Sequence, residues 1–200
     1  MIRHISRFTV ASATAVFLCM TGCAVEESIS SDPSDTDNLA DVDELSQSLQ
    51  VGSVVSFKNV KAQNERLTRC IGVDGASMAN GALVKLFDCV DSSLNQRWRI
   101  GGQGVQVTLT NVNGNTKCMG VSGGSMNDGA DIGQFDCVTG APNQTWTIAG
   151  KTTDPGAHMT NAKSGKCIGV DGGSTANGAQ LKQFPCNATA PNQEWVVIVR

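Results

Sequence analysis

The sequence predicts an all-β domain in which three copies of one unit close as a barrel with threefold pseudosymmetry. Three observations carry this reading: a repeat with a period of 48 and then 49 residues, measured from Trp98 to Trp146 to Trp195; short apolar or β-branched runs between Gly-rich turns; and two cysteines 19 apart in every copy. A chain of 200 residues, 40% hydrophobic and 16% charged, can bury one sizeable core and is expected to form a single folded domain. With only two histidines, His4 and His158, a His-ligated metal or a His-dependent triad has little material to work with.

Residues 1–22 read as an export signal: Arg3 and Arg7 precede an apolar stretch over 8–20, and small residues follow at Thr21-Gly22-Cys23. That stretch is shorter than the roughly 20 apolar residues a membrane span needs, and no later segment approaches that length. Met20-Thr21-Gly22-Cys23 resembles the lipobox of bacterial lipoproteins, although that family prefers Leu at the position of Met20. The resemblance implies lipidation at Cys23 and a membrane anchor, placing the protein in the cell envelope, at the outer membrane or cell surface, and otherwise secreted. Cysteine arithmetic adds support, since six of the eight cysteines lie in the body, Cys19 lies in the signal, and Cys23 is left over.

Residues 23–50 read as a flexible acidic tether. Between 24 and 50 there are eight Asp or Glu and no Lys or Arg, with few apolar residues to offset the entropy of ordering. A calcium loop is excluded because no Gly sits mid-run and no Glu follows at the required spacing. Residues 51–200 carry thirteen Lys or Arg against ten Asp or Glu, a mild excess that lacks the dense basic stripe of a nucleic-acid binder.

Within 51–200 the repeats span about 51–101, 102–149 and 150–200. Cys70-Ile71-Gly72-Val73-Asp74-Gly75, Cys118-Met119-Gly120-Val121-Ser122-Gly123 and Cys167-Ile168-Gly169-Val170-Asp171-Gly172 align. Each is followed by a Gly-Ala turn introduced by Asn80, Asp128 or Asn177. Next come Leu86-Phe87-Asp88-Cys89, Gln134-Phe135-Asp136-Cys137 and Gln183-Phe184-Pro185-Cys186, and finally Asn95-Gln96-Arg97-Trp98, Asn143-Gln144-Thr145-Trp146 and Asn192-Gln193-Glu194-Trp195. Runs such as 82–87 and 103–110 read as strands punctuated by Asn-Gly, Asp-Gly and Gly-Gly turns, and no helical periodicity is sustained outside the signal.

About four strands fit each unit. A propeller would need at least roughly four such blades to close, whereas three units can form a barrel that buries the three Trp together and leaves no exposed sheet edge. Six body cysteines allow 15 pairings, and threefold repetition selects one: Cys70 with Cys89, Cys118 with Cys137, Cys167 with Cys186. Export favours disulfides, and a zinc reading fails because the spacing is wide and His158 occurs in one copy only.

The triplets Gln96-Arg97-Trp98, Gln144-Thr145-Trp146 and Gln193-Glu194-Trp195 resemble the Gln-x-Trp repeats of ricin B-type lectin domains, carbohydrate-binding module family 13, and the resemblance covers residues 51–200. It implies a β-trefoil with up to three shallow sugar sites. Carried over by position, Phe87, Phe135 and Phe184 would stack on the sugar's apolar face, and Asn95, Asn143 and Asn192 would add polar contacts beside Gln96, Gln144 and Gln193. The family's sugar-binding Asp is replaced by Gly72, Gly120 and Gly169 in all three copies. Asp74 and Asp171, two residues further on, are the candidate replacements, and they read equally well as turn residues. Lys85 and Lys182, four residues before the second cysteine, read either as solvated surface or as contacts for an anionic sugar such as a uronic acid; Gly133 and Ser122 make repeat two the weakest site.

The expected function is therefore non-catalytic carbohydrate binding by a tethered, monomeric domain without cofactor or metal, gaining strength by avidity. The alternative is a trefoil that has lost sugar binding and serves as a protein-interaction module. An enzyme is disfavoured because no unit gathers an acid, a base and a nucleophile, and Asp88 and Asp136 are copied with the repeat as scaffold would be.

Overall fold

A computed structural model describes residues 49–103, 105–114, 116–150 and 156–200. The signal, Cys23 and nearly all of the tether lie outside the described residues. Each repeat contributes four strands: β1 (Val54–Asn59), β2 (Arg69–Val73), β3 (Val84–Asp88) and β4 (Trp98–Gln103); β5 (Gln106–Asn111), β6 (Lys117–Val121), β7 (Ile132–Asp136) and β8 (Trp146–Gly150); β9 (Ala157–Asn161), β10 (Cys167–Val170), β11 (Leu181–Phe184) and β12 (Trp195–Val199). Of the run 103–110, expected as one strand, residues 106–110 lie in β5, while Gln103 ends β4 and pairs with Gln106 across the connection. Gly102, at φ +97°, takes a backbone conformation that other residues rarely adopt and lets the chain turn there.

Six strands form a closed ring. β1 pairs with β12 and β4, β4 with β5, β5 with β8, β8 with β9, and β9 with β12, all antiparallel. Closure removes every free edge from the barrel. The other six strands are the hairpins β2–β3, β6–β7 and β10–β11. They meet one another in a cyclic set of bridges, Leu83 with Gly133, Asp131 with Lys182, and Gln180 with Lys85. The result is a β-trefoil: a six-stranded barrel joined to a triplet of hairpins.

Alternation along the strands delivers the core. Phe57, Leu109 and Met159 occupy equivalent positions on β1, β5 and β9, and all three are fully buried. Trp98, Trp146 and Trp195 are also at 0% exposure, and each indole N–H donates to a backbone carbonyl: Ile71 at 3.4 Å, Met119 at 3.0 Å, Ile168 at 3.3 Å. A buried indole needs that partner, and the hairpin of the same repeat supplies it. The three disulfides join the residue pairs that repetition selected, each with Cα atoms 4.9 Å apart. Closing a loop of this length is worth on the order of 3 kcal/mol in the chain-entropy account.

Neighbouring repeats are locked by polar side chains. Asn80 Oδ1 accepts from the Asp136 N–H at 2.8 Å while its amide donates to the Asp136 carboxylate, and Asn177 Oδ1 accepts from the Asp88 N–H at 3.1 Å. The third junction cannot copy this, because Pro185 has no N–H and Asp128 pairs with Lys166 at 2.5 Å instead. The Asn80 amide, with Lys117 beside it, holds the Asp136 carboxyl below its ordinary value of 3.8. A lowered folded-state pKa means that this contribution is complete above 3.8 and is lost as pH falls through the folded value. Asn80→Leu is expected to return the Asp136 titration, followed by carboxyl carbon NMR, toward 3.8. An unchanged midpoint would assign the shift to Lys117 alone.

Candidate functional site

The polar residues of each Gln-x-Trp triplet are placed by a short 3-10 turn: Leu94–Gln96, Pro142–Gln144 and Pro191–Gln193. The glutamines are nearly buried, and both ends of each amide bond the backbone that follows β3, β7 or β11. Gln96 Nε2 donates to the Asp88 carbonyl at 2.8 Å and its Oε1 accepts from the Val90 N–H at 2.9 Å. Gln144 does the same with Asp136 and Val138, and Gln193 with Pro185 and Asn187. These amides hold the loop wall in place.

The asparagines use one end only. Asn95, Asn143 and Asn192 donate to the carbonyls of Val73, Val121 and Val170 at 2.9, 3.4 and 3.3 Å. Their Oδ1 atoms accept no hydrogen bond among the described residues, which leaves an amide oxygen available in each repeat. Beneath lies the glycine that replaces the family's Asp. A Cβ at Gly72 would stand 3.0 Å from Gln96 Cγ and 3.2 Å from Phe87 Cδ2; at Gly169 the same distances to Gln193 and Phe184 are 2.9 and 3.3 Å. At Gly120 they are 3.0 Å to Gln144 and 3.5 Å to Phe135. A side chain at these positions would therefore require the glutamine, and in repeats one and three the ring as well, to shift by a few tenths of an ångström. The three Phe are half-buried, with one part packed against this glycine floor.

Two depressions result. In repeat one a hollow of about 280 Å³ is lined by Phe87, Asp88, Asn95, Gln96 and Asn177, among others. In repeat three one of about 730 Å³ is lined by Gly173, Phe184, Asn187, Asn192 and Gln193, among others. The sequence-predicted Phe, Asn and Gln thus come together in one wall.

The charged candidates sit beside that wall and face each other. Lys85 is paired with Asp74 at 2.7 Å and Lys182 with Asp171 at 2.9 Å. Each lysine lies two residues before the Phe on the same strand and so points to the same side of the hairpin. The Asp171 hydrogen bond raises the Lys182 pKa above its ordinary 10.5. None of the four lines either depression. Among the described residues no group of three or more His, Cys, Asp or Glu is placed to hold a metal, and no helix is long and apolar enough to cross a membrane.

Sequence reasoning passed over a third set. Asn59, Asn111 and Asn161 end the first strand of each repeat, almost fully buried, and their amides donate to the carbonyls of Asn192, Asn95 and Asn143 at 3.4, 3.0 and 3.1 Å. Each therefore positions the triplet of the repeat before it. Asn59 also caps the single-turn helix α1 (Val60–Asn64), its Oδ1 accepting from the Ala62 N–H at 3.1 Å. The recurrence Asn59-Val60-Lys61, Asn111-Val112-Asn113, Asn161-Ala162-Lys163 was the signal that could have found them.

The ricin-type β-trefoil lectin domain matches residues 58–195, which is more than half of the chain. The chain belongs to the ricin-type β-trefoil lectin family. Similar solved structures agree in fold. A designed threefold-symmetric protein, ThreeFoil, is 25% identical with a TM-score of 0.65, covering 72% of this chain and 97% of its own. The Rhizoctonia solani agglutinin is 22% identical at a TM-score of 0.62, covering 76% and 97%. A Macrolepiota procera ricin B-like lectin, solved with lactose, is 17% identical at 0.59, covering 74% and 96%. No curated protein matches the chain at a significant level. The chain carries a Gln-x-Trp triplet in each of its three repeats, with Gly72, Gly120 and Gly169 against the glutamine of the triplet.

Proposed function

We propose that this ricin-type lectin binds carbohydrate without catalysis, through shallow sites in which Phe87, Phe135 and Phe184 offer ring faces and Asn95, Asn143 and Asn192 offer amide oxygens. The observation that carries the reading is the recurrence of the same ring, free amide oxygen and glycine floor in all three repeats. A pyranose presents C–H patches to a ring and hydroxyls to an acceptor, so this pair of groups is chemically complementary to it. The one carboxylate that lines either depression supports binding over hydrolysis, since Asp88 is paired with Arg69.

Export and anchoring complete the reading. Residues 1–22 direct export, Cys23 carries the lipid, and the acidic stretch 23–50 spaces the lectin domain from the membrane. Many tethered monomeric copies with up to three sites each would then act by avidity. Radiolabelled palmitate is expected to enter the wild-type chain and not Cys23→Ala; equal labelling would reject Cys23 as the anchor. For the sugar itself, a glycan array on the oxidised protein, with lactose included because a fold relative was solved with it, decides the matter. Binding of any glycan class supports a lectin, whereas no binding by a folded chain would favour the protein-interaction reading.

A further inference from the structure

We infer, resting on the sugar-binding reading, that the repeat-three depression selects sugars bearing a carboxylate and that Lys61, reaching across from repeat one, is the residue that selects them. The position two after each buried junction asparagine extends a side chain over the turn of the preceding repeat. Asn113 Nδ2 donates to the Ala76 carbonyl at 2.8 Å, Lys163 Nζ to Gly124 at 2.6 Å, and Lys61 Nζ to Gly173. Repeat one therefore borders a neutral amide, while repeats two and three border an ammonium.

For repeat three the ammonium stands at the rim of the depression, bonded to the lining residue Gly173, while Lys61 itself is not a lining residue. A Cβ on Gly173 would be 3.1 Å from Lys61 Nζ and 3.9 Å from Asn192 Cγ, and both Gly173 and Asn192 line the depression. One N–H of Lys61 is bonded to Gly173, and the ammonium has two more. No carboxylate stands within ion-pair distance of Lys61 among the described residues. Glu65, one helical turn on, accepts from Thr175 Oγ1 at 2.6 Å, Asp171 is neutralised by Lys182, and Glu194 is buried in the Gln-x-Trp triplet outside the lining.

A second, independent difference has the same sign. The residue before the second cysteine is Asp88 in repeat one, where it lines the depression, and Pro185 in repeat three. Asp88 is held in an ion pair by Arg69, so repeat one presents a compensated carboxylate, whereas repeat three presents a lysine with no carboxylate at the equivalent position. Repeat one therefore offers an anionic ligand no uncompensated cation, whereas the Lys61 ammonium favours it in repeat three. The larger hollow, about 730 Å³ against 280 Å³, leaves room for the extra substituent. Lys85 and Lys182, whose charge is cancelled by Asp74 and Asp171, do not supply this selectivity.

The test is a residue-resolved NMR titration of the full oxidised chain with trigalacturonate, its methyl ester and lactose, read at Asn95 and Asn192. At Asn192 the acid is expected to bind about fivefold tighter than its ester, the ratio a solvent-exposed ion pair supports, and added salt should shrink that ratio. Lys61→Gln, which keeps a donor for Gly173, and Lys61→Met, which removes both donor and charge, should each bring the ratio near one. Asn95 should show no preference for the acid. Equal binding of acid and ester at Asn192, or a preference that survives both variants, would overturn the inference. Lactose binding without an acid preference would overturn it while leaving the lectin reading intact, and silence from all three sugars would overturn both.

Discussion

Replacing Phe87, Phe135 and Phe184 together by alanine is expected to abolish measurable glycan binding while leaving the fold in place. Each ring is half-buried and lies outside the buried core cluster that contains the three Trp. An aromatic contact contributes about 0.5–1.5 kcal/mol beyond its area, so each site should weaken roughly tenfold at the upper end, about 1.4 kcal/mol per factor of ten. Multivalent binding multiplies those losses, and a surface plasmon resonance signal on an immobilised glycan should fall by at least about a hundredfold. Retained binding in the folded triple variant would place the sugar elsewhere on the domain. Glycine at positions 72, 120 and 169 sharpens the test, because with no floor carboxylate the ring and one amide oxygen carry most of the recognition.

Trp146→Ala should produce the largest loss of stability. Trp146 is fully buried, and its indole donates to the Met119 carbonyl at 3.0 Å. Truncating a buried Trp destabilises by about 3–5 kcal/mol, a large share of the roughly 5–15 kcal/mol that holds a domain folded. The urea midpoint of the oxidised protein should drop accordingly. Trp146→Phe should lose less, about 1–3 kcal/mol from an orphaned carbonyl and a small void. A shift below about 1 kcal/mol for Trp146→Ala would mean that the barrel centre is not the stabilising core.

The gains and losses of reading the chain divide along one line. The repeat itself carried the Cys pairing and the Trp burial, because each depends on what a unit does within its own 48 or 49 residues and is therefore written three times, and the number of copies carried the threefold plan of the barrel. Phe, Asn and Gln could be placed on one wall for the same reason. What had to await the folded chain lies between units. Asn59 meets Asn192 across 133 residues and Lys61 meets Gly173 across 112, contacts made only where the last repeat closes against the first. Charge behaved likewise: Lys85 and Lys182 count as cations in the sequence, and side-chain placement pairs them with Asp74 and Asp171. The sequence by itself determined the unit, its disulfide and the threefold plan. Tertiary structure alone decided that Gly72 and Gly169 meet Phe and Gln side chains of the same repeat, and that a lysine from repeat one borders the depression of repeat three. Periodicity records local interactions, whereas the character of a site at a repeat junction depends on which two copies ring closure brings together.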